Sequence, residues 1–207
     1  MTAGGDFSEG IAVEIEARRL TPDLLTDYLE YFDHIAFSDN PDWAGCYCYF
    51  YLVDQERDDW NSRSGQDNRR DVAGLISRGE MHGYLAYVDG HVLGWCHAGP
   101  KTYFPSFGRD PDLADADLPV TGSIACFNVA PGRRRLGIAS ALLDAATRGL
   151  AGLGMTIAEA YPHEGASSDA GHYTGPLDMY LRAGFTIHKQ LEGSIVVRKE
   201  LRSLGRV

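Results

Sequence analysis

The segment from Ser123 to Leu150 constrains the fold of this chain more than any other. It begins with SIACFNVA, a run of small, apolar and β-branched residues that predicts a buried strand. The chain then passes through the turn PGRRRLG into IASALLDAATRGL, where apolar residues recur at helical spacing: Ile138, Leu142, Ala146 and Leu150. A strand, a tight turn and a helix in direct succession are typical of proteins that pack helices on a sheet.

The turn carries chemistry that a purely structural helix start does not need. Arg133, Arg134 and Arg135 stand where the helix dipole favours negative charge. The first N–H groups of the helix lack partners, and the small residues Gly137 and Ala139 leave the backbone accessible to an anion. Guanidinium groups suit phosphate oxygens, so the turn predicts a pyrophosphate ligand. The sequence of the turn is neither a P-loop nor a Gly-x-Gly-x-x-Gly dinucleotide motif.

The rest of the chain predicts further strands and helices around this unit. VEIEARRL alternates like a half-buried strand, and YLAYVDGHVLGWC predicts a hairpin that turns at Asp89 and Gly90. GMTIAEAYP, FTIHKQ and SIVVRKEL predict strands, and DMYLRAGF ends a helix at Gly184. GCYCYFYLVD predicts another strand, with Cys46 and Cys48 on one face as small buried hydrophobes. The predicted fold class is α/β of the α+β type, with a disordered tail at 1–10 and a single domain over 11–207.

Three motifs resemble the GNAT superfamily of GCN5-related N-acetyltransferases. RRLGIA resembles that family's Arg/Gln-x-x-Gly-x-Gly/Ala signature, NVAP resembles the Val-x-Pro that leads out of its fourth strand, and MYLRAGF resembles its Tyr-x-x-x-Gly-Phe element. The resemblance covers roughly positions 82–200. It implies a GNAT fold, a mixed and mostly antiparallel central sheet that splays in a V and is flanked by helices. It also implies acetyl-CoA as co-substrate in the cleft of the V.

The resemblance carries eight cofactor-binding residues onto this sequence: Phe127, Asn128, Val129, Arg134, Arg135, Gly137, Ile138 and Ala139. The first three would line the strand that pairs with the pantetheine arm, and the other five would hold the pyrophosphate. A backbone N–H near Val129 would polarise the thioester carbonyl. Arg133 precedes the signature and is expected to be a solvated neighbour.

Two catalytic roles follow from the family pattern and the sequence. Tyr180 matches the tyrosine that serves many relatives as general acid, and its alternative role is packing beneath the cofactor. The fourth strand carries no carboxylate, although many relatives place a glutamate base there. Glu159 on the next strand is therefore the candidate base, in a partly apolar setting that would raise its pKa. Its alternative role is to fix a loop or bind the acceptor.

Other polar and aromatic segments are weaker candidates for the acceptor side of the site. His82, His97, His163 and His172 are secondary candidates for the base, because a lone histidine in a strand is more often structural. WAGCYCYFYLVD predicts either core packing or an acceptor pocket. DAGHYTGPLDMY could place His172, Tyr173 and Asp178 near the acceptor. The cysteines lack the spacing of a zinc site, so no metal is expected.

Composition bounds the partners and the compartment. The formal net charge of −10 argues against nucleic-acid binding, which usually needs a basic face. The sequence has neither an apolar run long enough for a membrane span nor the pattern of a signal peptide, which predicts a cytoplasmic protein without a membrane partner. A homodimer is one expected state, since dimers are common in the family.

The sequence thus favours an acetyl-CoA-dependent N-acetyltransferase, an acyltransferase that transfers an acetyl group to a primary amine of a small molecule by direct attack. The alternative is a GNAT-like module that binds acyl-CoA as a sensor or interaction partner without turnover. The intact RRLGIA segment supports both hypotheses.

Overall fold

The computed structural model describes residues 14–54, 57–114, 116–165 and 170–202. The tail expected to be disordered at 1–10 lies outside these ranges, and the single domain expected over 11–207 remains a prediction.

One seven-stranded sheet organises the described part of the chain. Its strands are β1 Glu16–Arg19, β2 Tyr84–Val88, β3 His91–Pro100, β4 Thr121–Val129, β5 Ile157–Ala160, β6 Thr186–Leu191 and β7 Ser194–Glu200. The α-helices are α1 Leu25–His34, α2 Gly65–Ser77, α3 Pro105–Arg109, α4 Ile138–Gly152 and α5 Leu177–Arg182. The strand order is β1-β2-β3-β4-β5-β7-β6, and every pair is antiparallel except β4–β5. This mixed, mostly antiparallel sheet flanked by helices confirms the predicted fold class.

The hairpin between β2 and β3 turns where the sequence predicts it. Asp89 and Gly90 both have positive φ, at 50° and 78°. Two consecutive positive φ values match the right-handed twist of the flanking strands, and Asp-Gly tolerates them better than most residue pairs do. Local turn chemistry therefore fixes the register of this hairpin.

The sheet opens between β4 and β5. These strands pair only from Thr121 to Ile124 on β4 with Ile157 to Ala160 on β5. β5 then ends, whereas β4 continues to Val129 along β3. The ladder between β3 and β4 shifts register at His97, and such a bulge bends and twists a strand. The second half of β4 consequently leaves its neighbour and opens the V.

Apolar clusters cover both faces of the sheet. On one face, α4 buries the four residues that the sequence predicts, Ile138, Leu142, Ala146 and Leu150, each at most 2% exposed. On the other face, aromatic residues of α1 pack around Trp95, with the Tyr28 ring perpendicular to its indole at 5.0 Å. The two clusters hold β4 and the start of α4 in fixed positions.

The strand predicted for GCYCYFYLVD is wrong. The segment forms turns and a short 3₁₀ helix at Phe50–Leu52, and Tyr47 and Cys48 have φ values of 46° and 47°. Those left-handed residues cannot continue a strand. Cys46 and Cys48 therefore do not share a strand face. Cys48 is buried with its Sγ 3.2 Å from Cys126 Sγ, and Cys46 is half-buried.

Candidate active site

A cleft of about 1180 Å³ lies where β4 separates from β5. All eight residues predicted to bind the cofactor line it: Phe127, Asn128, Val129, Arg134, Arg135, Gly137, Ile138 and Ala139. Ordinary ligand pockets measure about 300–1,000 Å³, so this volume has room for a large cofactor and an acceptor together. The β4 strand forms one wall, and the first turn of α4 forms one end.

The first turn of α4 exposes backbone donors to the cleft. Gly137 is the N-cap at φ 87°, and Arg135 before it also has positive φ, at 65°. The first intrahelical bond runs from the Ala141 N–H to the Gly137 carbonyl, so the N–H groups of the preceding turn are directed outward. A Cβ on Gly137 would meet only Ile15 Cδ1, at 3.8 Å. The turn is therefore open to an anion, and it fits the diphosphate of a CoA-type ligand.

The three arginines of the turn differ in their surroundings. Arg134 is mostly buried, and its Nη1 lies 2.5 Å from Asp39 Oδ2. Its hydrogen bond is the largest cause of the lowered pKa of Asp39. Arg135 is exposed and lines the cleft, whereas Arg133 is exposed outside the cleft lining. This placement supports the expectation that Arg133 is a solvated neighbour.

The backbone of β4 presents donors to the opening. The Phe127 N–H points away from β3 and donates to the Tyr173 carbonyl at 2.6 Å. The Ala130 N–H points the other way and donates to the Leu93 carbonyl at 3.0 Å. Since backbone directions alternate along a strand, the Val129 N–H faces the opening like that of Phe127. The predicted thioester donor therefore points into the cleft.

Asn128 has a second role that sequence reasoning missed. Its Oδ1 accepts from the Tyr31 hydroxyl at 2.6 Å, and its Nδ2 donates to the Ala36 carbonyl at 3.0 Å. These bonds join β4 to the end of α1, 92 to 97 positions away in the chain. The side chain thus fixes the wall of the cleft.

Tyr180 lies behind the cleft rather than in its lining. It is fully buried, and its hydroxyl donates to the Thr174 carbonyl at 2.5 Å. The hydroxyl lies directly behind Gly175, which does line the cleft, because a Cβ on Gly175 would approach it to 3.0 Å. Burial raises the pKa of Tyr180 well above its ordinary value, so the phenol stays protonated.

The setting expected for Glu159 is wrong. Glu159 is 1% exposed and does not line the cleft. Its Oε1 lies 2.6 Å from Lys101 Nζ, and its Oε2 lies 2.6 Å from Arg198 Nε. The Tyr161 hydroxyl also donates to Oε1, at 2.7 Å. Two cations and a hydroxyl occupy both oxygens, which supports the alternative that this carboxylate fixes local structure.

Aromatic and polar residues from two loops form the other side of the cleft. They are Phe37, Trp43, Phe50, Tyr51, Trp60, His172 and Tyr173. The aromatic segment therefore contributes both to the core and to the cleft, and its role as an acceptor pocket stays a prediction. Asp178 is exposed and does not line the cleft, while His97 is buried behind it. In the sequence, only the segment DAGHYTGPLDMY gave a weak indication that Tyr173 lies in this wall of the cleft.

Within the residues that the structure describes, no group of three or more His, Cys, Asp or Glu side chains is arranged to hold a metal ion. None of the helices described has the length and apolar character needed to cross a bilayer.

The model of the acetyltransferase (GNAT) family matches residues 47–167, more than half of the chain. The protein belongs to the GNAT acetyltransferase family. A comparison of the sequence with curated proteins found no match.

Solved structures support the fold. PaiA N-acetyltransferase from Thermoplasma acidophilum, solved in complex with coenzyme A, is 17% identical with a TM-score of 0.53 over 90% of this chain and 99% of that one. The GNAT domain of S. lividans PAT is 15% identical with a TM-score of 0.56 over 90% of both chains. The yncA protein of Salmonella typhimurium, solved with acetyl-CoA, is 14% identical with a TM-score of 0.52 over 93% of this chain and 96% of that one. At these identities, the likeness is one of fold.

Proposed function

We propose that this protein is an N-acetyltransferase that transfers the acetyl group of acetyl-CoA to a primary amine of a small molecule. One observation carries the proposal. The eight residues carried over from the family pattern, which lie on a strand, a turn and a helix, all line one cleft. Two fold relatives were solved with coenzyme A or acetyl-CoA, which supports the same ligand here.

Acetyl-CoA, when bound, supplies the acetyl group as a thioester. The N–H groups at the start of α4, with Arg134 and Arg135, would hold its diphosphate. The Val129 N–H would donate to the thioester carbonyl oxygen, where negative charge develops during attack. The Val129 N–H is already oriented for this bond, because β3 fixes β4 on its other side.

Two of the three thiols in the cleft lining are poorly suited to a covalent enzyme intermediate, which supports direct attack by the amine. Cys46 and Cys48 both line the cleft. Burial raises the pKa of Cys46 to about 11. A hydrogen bond with Cys126, together with burial, raises that of Cys48 well above its ordinary value. A thiol that stays protonated at neutral pH is a poor nucleophile, so neither is suited to carry the acetyl group.

Tyr180 is the proposed general acid for the leaving thiolate. Its raised pKa keeps the phenol protonated, and its ring faces that of Phe127 on β4 at 6.5 Å. To act as the acid, the Tyr180 hydroxyl has to release the Thr174 carbonyl and donate to the thiolate on the other side of Gly175.

The cytoplasmic location and a homodimeric state remain predictions.

A catalytically inactive acyl-CoA-binding module is the second candidate. It is favoured by the absence of a carboxylate on β4 and by the ion pairs that occupy Glu159. Both candidates bind acetyl-CoA, but only the first releases CoA in the presence of an amine.

The test has two stages. Calorimetric titration with acetyl-CoA, CoA and ATP is expected to give micromolar binding of the first two and none of ATP. A thiol-detecting assay then follows CoA release across a panel of primary amines, with the matching tertiary amines as controls. Amine-dependent release supports the enzyme. Binding without release supports the module, and no binding refutes both.

A further inference from the structure

Tyr173 lies against the part of β4 that lines the cleft. Its carbonyl accepts from the Phe127 N–H at 2.6 Å, two residues before the proposed thioester donor Val129. Its ring lines the cleft and packs perpendicular to Trp43, with centroids 5.6 Å apart. The backbone of Tyr173 is thus fixed to β4, and its side chain lies beside Trp43 in the cleft lining.

A hydrogen bond leads from this point to the surface. The Tyr173 oxygen lies 2.9 Å from His163 Nε2. The His163 side chain is exposed, and its backbone is held by a β-bridge to Ser194. This bond therefore joins the cleft to solvent through Tyr173 and His163.

The partners of His163 define the direction of these bonds. Its Nδ1 lies 3.4 Å from the Gly193 carbonyl, which can only accept, so we assign the hydrogen to Nδ1. Nε2 is then the acceptor for the Tyr173 O–H. Burial raises the pKa of Tyr173, so it remains a phenol that passes a proton rather than holds a charge.

The proposed reaction needs such a path. A primary amine is an ammonium ion at neutral pH and must lose a proton before it can attack. β4 offers no carboxylate, and both oxygens of Glu159 are occupied by Lys101, Arg198 and Tyr161.

We propose that Tyr173 and His163 carry the proton of the acceptor ammonium from the cleft to solvent, an inference that rests on the proposed acetyltransferase function. The N–H bond of the ammonium breaks, and its electron pair stays on nitrogen. The Tyr173 oxygen takes that proton as its own hydrogen passes to His163 Nε2. His163 then releases one proton to water and returns to its neutral form. Tyr173 is the catalytic residue in contact with the amine.

Chemical rescue tests the relay. We take an amine that the wild type acetylates and measure kcat for His163→Ala and Tyr173→Phe. Each change is expected to lower kcat about 100-fold, within the range for loss of an acid–base group, with acetyl-CoA affinity unchanged. Because His163 is exposed, added imidazole should restore kcat to His163→Ala. It should not restore kcat to the double variant, which lacks the Tyr173 hydroxyl. A merely structural role of His163 would not respond to imidazole.

The matched controls are His188→Ala and Tyr87→Phe. His188 is exposed on β6, and the Tyr87 hydroxyl donates to Asp27 at 2.5 Å. Neither residue lines the cleft, so both variants should keep wild-type kcat with and without imidazole. Full kcat in His163→Ala, or loss of kcat and imidazole rescue in His172→Gln instead, would overturn the relay.

A second measurement does not depend on turnover. Nitrogen-15 NMR of histidine-labelled protein without acetyl-CoA should show His163 with hydrogen on Nδ1 and Nε2 accepting a bond. Tyr173→Phe should shift the Nε2 resonance, and His163→Ala assigns it. Hydrogen on Nε2 in the wild type would overturn the relay even if amines are acetylated. Absence of turnover with every amine, with the expected tautomer present, would refute the proposed function and leave the hydrogen bond from Tyr173 to His163 established.

Discussion

The guanidinium of Arg134 lies 2.5 Å from the carboxylate of Asp39. This pair joins the turn before α4 to the loop that follows α1, so an ion pair holds these two parts of the cleft lining together. Any diphosphate held by the turn has to share Arg134 with Asp39. The arginine turn is therefore organised by the protein's own carboxylate before a ligand arrives.

Charge reversal at Arg134 tests the diphosphate site. Arg134→Glu removes a donor and places a second carboxylate beside Asp39, which repels an anion. Hydrogen bonds to charged groups contribute about 1.5–3 kcal/mol, so acetyl-CoA affinity should fall by at least about tenfold. Calorimetric titration measures the change. Arg133→Glu, an identical charge change outside the cleft lining, should bind nearly as the wild type does. Equal losses in both variants would mean that only the overall charge matters.

Substitution of Tyr180 separates its two roles. Tyr180→Phe leaves the Thr174 carbonyl without its buried donor, which should cost about 1–3 kcal/mol in the free energy of unfolding. If Tyr180 protonates the leaving thiolate, kcat should also fall by about 100-fold. The matched control is Tyr28→Phe, because the Tyr28 hydroxyl is equally buried and donates to the Tyr47 carbonyl at 2.7 Å. A similar loss of stability in both variants with kcat intact would assign Tyr180 to packing alone.

Glu159→Gln should affect stability rather than catalysis. Lys101 is fully buried, and loss of its counter-charge leaves a cation in the interior. Removing one partner of a buried ion pair costs about 3–5 kcal/mol, which denaturant unfolding would measure. Activity per folded molecule should stay within about twofold of wild type, well inside the effect of losing a general base. Glu200→Gln, on an exposed position of β7, is the control. A large loss of kcat with normal stability would restore Glu159 as the base.

His97 should make the protein sensitive to mild acid. Burial among aromatic rings, with a smaller effect of the His82 charge, lowers the pKa of His97 to about 3. In the unfolded chain the pKa of a histidine is near 6.5. Below that pH the unfolded chain therefore binds a proton at position 97, whereas His97 in the folded state stays neutral. The free energy of unfolding should therefore fall by about 1.4 kcal/mol per pH unit as pH decreases from roughly 6 toward 3, and be unaffected above 7.

Comparison with His97→Leu isolates this effect. Urea unfolding of both proteins at pH 7 and pH 5 should show the wild type losing more stability than the variant, by roughly 2 kcal/mol. Parallel losses would show that other groups govern the acid response.

The sequence predicted what short-range chemistry decides. The strand, turn and helix from Ser123 to Leu150, the hairpin at Asp89 and Gly90, and the fold class follow from periodicity and turn residues over a few positions. The resemblance of the same segment to the GNAT signature supplied the eight cofactor-binding residues. They lie on one continuous segment and line one cleft, and their role in binding the cofactor stays a prediction.

Only the tertiary structure decided the surroundings of the individual catalytic candidates. The aromatic segment around Cys48 alternates like a strand, yet the packing of its rings requires turns with positive φ. Glu159 forms ion pairs with Lys101 and Arg198, which lie 58 and 39 positions away. A sequence pattern over a few positions cannot indicate such distant partners. Tyr173 and His163 likewise lie ten positions apart and meet because the Tyr173 carbonyl binds the Phe127 N–H of β4. The sequence determines which chemical group a side chain carries. The pKa of that group, its partners and its access to the cleft depend on which distant residues pack around it and exclude water.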